Sequence, residues 1–270
     1  MIEAARYSLL GGGKRIRPVM LLVCGDMLSI PESETMPYAC ALEMIHTYSL
    51  IHDDLPCMDD DDLRRNRPTC HRQYDEATAL LAGDALLNSA FEILLETCGA
   101  AGSTESAAAR IRAARRIASA AGTGGMIGGQ AIDLHIEGMP ADERTLDRMH
   151  RMKTGALIEA SLLVPADLAS AGSDLTDALT DYAAGIGLAF QIGDDLLDAT
   201  SMPGVLGKSV GKDARDGKST YVTRLGIKRS QERLREEVAH ALNALEAVAA
   251  YGFDTVLLAE FARSLTERKS

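Results

Sequence analysis

Residues 52–65 read HDDLPCMDDDDLRR, with six aspartates among the ten positions Asp53 to Asp62 and two arginines directly behind them. Like charges packed this closely repel. A folded chain keeps them either in a solvated loop or where a cation resolves the repulsion. A second acidic group, GDDLLD, holds Asp194, Asp195 and Asp198. On a helix Asp194 and Asp198 are i and i+4 and share a face, and Gln191, three residues earlier, joins that face. Carboxylate oxygens at such spacing suit a hard divalent cation, and Mg²⁺ prefers to keep waters and to be shared with substrate phosphates. Each cluster sits in an otherwise apolar helical stretch, which favours metal over a plain acidic loop.

The first cluster begins on a helix stripe carrying His46, Ser49 and Leu50 and closed by Asp53 and Asp54. Pro56 cannot continue a regular helix. The backbone should loosen near 55–58 and swing Asp59 back toward Asp53. Asp60, Asp61 and Asp62 are expected only to cap or repel. Cations accompany the acids. GGGKRIRP (11–18) places Lys14, Arg15 and Arg17 behind three glycines, without the ending of a nucleotide P-loop. It reads either as a basic helix start or as a cradle for phosphate through charge-assisted bonds. Arg64 and Arg65 offer two-point contacts to phosphate oxygens. Lys153 and Thr154 of a KTG triplet, Lys208 and Lys218 add further polar and basic groups. Together these residues describe a site for two phosphorylated groups, one bridged through Mg²⁺ to the acids and one held directly by Lys14, Arg17, His46 and Arg65. A histidine–aspartate hydrolase built on His52-Asp53 would need more well-placed histidines than the six present.

Helices must position these groups. Apolar periodicity predicts them over 36–54, 76–98, 103–122, 126–138, 143–164, 175–200, 230–252 and about 254–268. Loops are expected at 28–34, 56–70 and 201–220, the last long enough to suggest function. No run alternates convincingly as a strand, and no repeat or linker marks a domain boundary, so residues 1–270 read as one domain. The composition, 46% apolar and 25% charged, is that of a globular chain. A net charge of −11 argues against a nucleic-acid partner. The five cysteines form no C-x-x-C pair and read as reduced thiols of a cytoplasmic protein. The N-terminus does not read as a signal peptide, and no window of about 20 residues is expected to be apolar enough for membrane insertion.

With these residues in view, the chain resembles the trans-polyprenyl diphosphate synthases. The matching pieces are GGKRIRP, EMIHTYSLIHDDLPCMDDDDLRR, GDALL, GGQAIDL, KTGALI, FQIGDDLLD and GKDARDGKSTY. The likeness is greatest to the bacterial farnesyl diphosphate synthase (geranyltranstransferase) group. The resemblance implies an all-α isoprenoid synthase fold, with helices around an apolar cavity and both acidic motifs at its mouth. It also implies a homodimer and three Mg²⁺ ions. By resemblance, Asp53 and Asp59 bind two ions and Asp194 a third, with Asp54, Asp195 and Asp198 supporting. Arg64, Lys153 and Lys208 would hold the allylic diphosphate, with Thr154, Gln191 and Lys218 around it. Lys14, Arg17, His46 and Arg65 would hold isopentenyl diphosphate, with Gly13 allowing close backbone approach. The implied reaction is head-to-tail condensation of isopentenyl diphosphate with dimethylallyl or geranyl diphosphate. Tyr48, with Ser49 beside it, would limit product length; at 1.5 Å per residue it lies about 7.5 Å below Asp53. An ordinary core tyrosine would instead have its hydroxyl satisfied nearby. An aromatic there and the Pro56-Cys57 insertion point to farnesyl diphosphate as product.

Some features depart from the family. Only about ten residues precede GGK, so an N-terminal helix is expected to be missing. RRNRP stands for the more usual RRGKP, and Gly193 precedes the second aspartate pair. The alternatives are a geranylgeranyl diphosphate synthase and a non-catalytic subunit of a heteromeric synthase. A terpene cyclase fits less well, since the chain has no Trp and four Phe to line a cation pocket.

Overall fold

In the structure, a computed structural model, residues 1–200 and 219–267 are described. Helices dominate them. The order is α1 (Ile2–Leu9), α2 (Ile16–Met27), α3 (Glu32–Asp53), a two-stranded hairpin β1 (Leu63–Arg64) and β2 (Arg67–Pro68), α4 (Cys70–Gln73), α5 (Glu76–Gly99), α6 (Thr104–Ala121), α7 (Met126–Ile136), α8 (Glu143–His150), a π-helical turn (Arg151–Gly155), α9 (Ala156–Leu168), α10 (Ser173–Thr200), α11 (Tyr221–Ala250) and α12 (Val256–Glu267).

The core has two halves sharing one helix. Helix α9 is apolar almost all round, the mark of a helix buried on every side. Leu157, Ala160 and Val164 face one cluster, built with α1, α3, α5 and α6. Ile158, Leu162, Leu163 and Ala166 face the other, built with α2, α10, α11 and α12. Helix α3 runs through the first half with Tyr38, Ala41, Leu42, Ile45 and Tyr48 inward. Its C-terminal end delivers Asp53. Helix α10 runs through the second half and delivers Asp194 and Asp198 near its end.

The structure corrects several expectations. The predicted helix 143–164 is two helices separated by the π-helical turn. Its i→i+5 geometry is not recorded in the local periodicity, and two glycines lie close against it. A Cβ on Gly129 of α7 would lie 2.2 Å from the Lys153 nitrogen, and one on Gly187 of α10 would lie 3.0 Å from the Gly155 Cα. Such single-turn π segments are frequent at functional sites. The predicted loop 56–70 contains the hairpin, although no strand was expected. Arg65 and Asn66 at its tip have φ of 54° and 59°, the paired left-handed geometry of a type I′ turn. Asn tolerates that region well, which accounts for Asn66 where the family more usually has Gly. Helix α11 starts at Tyr221 rather than 230, capped reciprocally by Thr220 and Thr223, and bends at Gly226 with φ 76°.

Among the described residues, one helix is long and apolar enough to cross a membrane, contrary to expectation. It is α5, with a mean hydropathy of 1.4 over its most apolar window. Part of its apolarity serves the core, where Ala79, Ala82, Gly83, Leu86, Ala90 and Leu94 pack against α3 and α6, while Leu80, Leu81 and Leu95 are exposed. A third of that window, 33%, is buried in the fold.

Candidate active site

Helix α3 stops at Asp53, and the chain folds back on itself. The Asp59 amide donates to the Asp53 carbonyl at 2.9 Å, and the Asp61 amide to the Asp54 carbonyl at 3.2 Å. The expected return of Asp59 to Asp53 is present. The aspartates then separate by role. Asp53 is half-buried and accepts a hydrogen bond from Gln130 Nε2 of α7. Asp54 is buried beneath the Arg64 guanidinium, which donates from Nε at 2.8 Å and from a terminal nitrogen at 2.6 Å. Burial works to lower the Arg64 pKa, and the Asp54 bonds and charge outweigh it, leaving it raised. Asp60 and Asp62 lie within ion-pair distance of Arg72, and Asp61 of Arg64. These three neither cap nor repel; their charges face arginines.

The hairpin sends its two arginines apart. Arg64, on β1, points inward to Asp54. Arg65, at the tip, donates to the Gly12 carbonyl. Its guanidinium lies against Gly13, where a Cβ would come within 2.4 Å of it and where φ is 114°. Only glycine fits both the conformation and the space. Arg65 joins Arg17 and His46 in a basic pocket. Burial first, then the charges of Arg17, Arg65, Arg64 and Arg15, hold His46 well below the usual histidine range. Burial pushes Arg17 down to about 10, against the charges of Glu43 and Asp194. Its Nε has no hydrogen-bond partner among the described residues. A buried guanidinium nitrogen left without an acceptor is costly, and an incoming anion would supply one to Arg17 Nε. Lys14 is exposed at the rim. Arg15 is structural: it starts α2 with φ 50° and bonds Glu43 and the Leu9 carbonyl.

A polar chain joins the two acidic motifs. Lys153 of the π-helical turn bonds Asp133 of α7 at 2.6 Å. Thr154 donates to Gln191 Oε1 at 3.1 Å, and Gln191 Nε2 donates to Asp195 at 2.9 Å. With Gln130 on Asp53, helix α7 and the π-helical turn thus connect α3 to α10. Asp195 is buried, and its second oxygen accepts from the Tyr221 amide at 2.9 Å, anchoring the start of α11. Asp194 and Asp198 are only half-buried. The charge of Arg17 reaches both His46 and Asp194, so the basic pocket and the second acidic motif are electrostatic neighbours.

The expected supporting carboxylates Asp54 and Asp195 and the expected substrate cation Arg64 also make bonds inside the protein, as Lys153 does to Asp133. Gln130 and Asp133 went unassigned, although GGQAIDL places them three residues apart on one helix face beside a glycine pair. Lys208 and Lys218 lie outside the described residues.

Below the mouth, Tyr48 is buried and meets the His52 ring edge to face at 5.6 Å. Its hydroxyl has no hydrogen-bond partner among the described residues, as is also true of the core Tyr38 on the same helix. The His52 ring rests on Gly83, where a Cβ would come within 2.1 Å of it. Ser49 turns its hydroxyl back to the His46 carbonyl at 2.8 Å.

Among the described residues, no three or more His, Cys, Asp or Glu side chains form a ready metal cage. The donor chemistry nevertheless suits Mg²⁺. Asp53, Asp59 and Asp194 offer the hard carboxylate oxygens that Mg²⁺ takes together with water or phosphate.

Comparison with known proteins agrees with this geometry. The polyprenyl synthetase family description matches residues 1–251. The chain is 43% identical to farnesyl diphosphate synthase of Escherichia coli over 269 residues, 99% of this chain and 89% of that one. It is 45% identical to geranylgeranyl pyrophosphate synthase 11 of Arabidopsis thaliana over 246 residues, 89% of this chain and 68% of that one. A geranyltransferase of Helicobacter pylori, solved with magnesium and isoprenyl diphosphate, superposes with a TM-score of 0.83 at 34% identity, covering 98% of this chain and 86% of that one. The chain belongs to the polyprenyl synthetase family.

Proposed function

We propose that this chain is a Mg²⁺-dependent prenyltransferase. It condenses isopentenyl diphosphate with dimethylallyl or geranyl diphosphate and stops at farnesyl diphosphate. The observation that carries the reading is the polar chain Asp53–Gln130, Asp133–Lys153, Thr154–Gln191, which ties two acidic motifs to one site beside a separate basic pocket.

Mg²⁺, three ions by family likeness, would bind Asp53, Asp59 and Asp194 and, with the substrate, draw negative charge off the leaving diphosphate. Lys153 exchanges Asp133 for the allylic diphosphate and stabilises the charge that develops as the C–O bond breaks. Lys208 and Lys218 add cations to that group. Thr154 and Gln191 turn dipoles toward the allylic cation. Arg17, Arg65, His46 and Lys14 hold isopentenyl diphosphate so that its double bond attacks that cation. The proton then lost goes to the released diphosphate, and no side-chain base is needed. Arg64 adds its charge to the allylic diphosphate while fixing Asp54 and the loop that returns Asp59, and Asp54, Asp195 and Asp198 support the metal-binding carboxylates.

Tyr48 is the floor, because it is buried, aromatic and one and a half helical turns below Asp53. The product is therefore farnesyl rather than geranylgeranyl diphosphate, although relatives making the longer product are as similar in sequence. The chain works as one domain and as a homodimer. The exposed Leu80, Leu81 and Leu95 of α5 and Ile111 of α6 give an apolar face suited to a second copy. Incubation with isopentenyl diphosphate, each allylic primer and Mg²⁺, with product chain-length analysis, tests the proposal. Farnesyl diphosphate is expected; no condensation with any primer overturns it.

A further inference from the structure

The chain carries 39 acidic residues against 28 Lys and Arg. Helix α6 runs against this balance, with Arg110, Arg112, Arg115 and Arg116 in seven positions and one acid, Glu105, near its start. Arg110 is accounted for by the Thr97 carbonyl and Glu34. The other three line a cleft of about 560 Å³ between α6 and α9, with Arg151 on its far wall. None of them enters the reaction proposed above.

Two of these arginines are held in place. Asp167 accepts two bonds from Arg116, at 2.5 and 3.0 Å, and Arg112 donates to the Asp167 carbonyl and to Ser170 Oγ at 3.2 and 2.8 Å. The other two, Arg115 and Arg151, are exposed and make no hydrogen bond or ion pair among the described residues; Arg115 lies one turn beyond Ile111, at the edge of the face proposed above for a second copy, and the charge of Arg151 also acts on Glu237 of α11. Glu159 is the remaining acid of the lining; burial raises its pKa, and Arg116 opposes this. Four cations against two carboxylates leave the lining at +2. Between the charges the lining is apolar, from Met152, Ala156 and Ala160. Two fixed and two solvent-facing guanidinium groups around an apolar patch match an anion with several oxygens and a short hydrocarbon part.

We infer that the α6–α9 cleft is a second anion site, distinct from the catalytic one, that takes a small phosphorylated molecule. Its position gives it a route to the reaction. The π-helical turn lends Arg151 and Met152 to the cleft and the next two residues, Lys153 and Thr154, to the catalytic side. The other rim, Gly125, starts α7, which carries Gln130 to Asp53. An anion drawing Arg151 into the cleft pulls on the same turn that aims Lys153.

The test is calorimetric titration of the full chain with inorganic diphosphate in EDTA, comparing wild type, Arg115→Gln/Arg151→Gln and Lys153→Gln, each with and without Arg17→Gln to weaken the metal-free pocket proposed for isopentenyl diphosphate. Binding is expected to persist in Lys153→Gln and to weaken about tenfold or more in the double variant, from two lost charge-assisted contacts. The double variant should retain basal condensation. In the unaltered protein, the Arg115 and Arg151 guanidinium NMR signals should shift during the same titration, a readout independent of how the variants fold. Loss of all binding in Lys153→Gln, unchanged affinity in the double variant, or unmoved arginine signals would each overturn the inference. So would a changed sedimentation coefficient in the double variant without any change in diphosphate binding, which would make the cleft a contact between protein copies. These outcomes are independent of whether the chain turns over isopentenyl diphosphate.

Discussion

Gly129 stands where α7 crosses the π-helical turn, and a methyl group there has no free space. Its Cβ would lie 2.2 Å from the Lys153 nitrogen, 2.6 Å from its Cα and 2.8 Å from its Cβ. Two of these atoms are backbone, so no rotamer change relieves the clash. Restoring ordinary contact moves the turn by roughly 1 Å. Overpacking of this kind costs about 1–3 kcal/mol. For a chain of 270 residues, with about 2–4 °C per kcal/mol, Gly129→Ala should lower Tm by roughly 2–12 °C. The activity loss should be larger in proportion. Lys153 rides on the turn, and a 1 Å misplacement of a positioned group costs on the order of 10²-fold in rate. Scanning calorimetry gives the first quantity. Steady-state condensation gives the second, with kcat expected to fall more than KM rises. Gly172→Ala is the control, since a Cβ there meets nothing within 4 Å. A Gly129→Ala protein with wild-type Tm and kcat would refute the claim that this close approach sets the position of Lys153.

Three further outcomes follow from particular contacts. Arg64→Ala strands the buried Asp54 carboxylate and should cost about 3–5 kcal/mol in denaturant unfolding, while Arg65→Ala should cost far less; near-equal small losses would mean that Arg64 is not structural. Tyr48→Phe removes an unpaired hydroxyl and should leave stability equal or up to about 1 kcal/mol higher with the same product, whereas Tyr48→Ala should lengthen the product; an unchanged length in the alanine variant would remove Tyr48 as the floor. His46 is neutral at pH 7 because its folded pKa lies below the unfolded value near 6.5. The unfolded chain binds the extra proton first, so the stability tied to a neutral His46 is present above about pH 6.5 and lost as pH falls toward the folded pKa. A diphosphate in the pocket supplies opposite charge, so NMR titration of the His46 ring should show its pKa rising when isopentenyl diphosphate is added, and no rise would argue against that pocket.

Much of this was legible because it is local. The stripes of α3, α5, α6, α7 and α10 follow from the period of their apolar residues, and their observed ends fall within a few residues of the expected ones. The return of Asp59 to Asp53 follows from Pro56. The parts that escaped are made by contacts between distant segments. The π-helical turn lies against Gly129 and Gly187, which let it approach closely from two sides. Asp54 and Asp195 look like their neighbours in sequence, and only the fold shows that Arg64 and the Tyr221 amide occupy them. No membrane-length apolar window is expected from the sequence, yet α5 supplies one, with its alanines and leucines split between the core and an exposed face. Gln130 and Asp133 were within reach: polar residues three apart on an apolar helix, beside glycines that bring backbone close, mark a face turned to a site.

The central claim is that two acidic motifs, separated in sequence and joined through α7 and the π-helical turn, act as one diphosphate-ionising site. Single-turnover condensation of isopentenyl diphosphate with geranyl diphosphate and Mg²⁺ tests it most directly, comparing wild type with Asp53→Ala and Asp194→Ala. The account predicts farnesyl diphosphate from wild type and essentially none from either variant, with circular dichroism unchanged. Wild-type rates in either variant, with the fold intact, would contradict it.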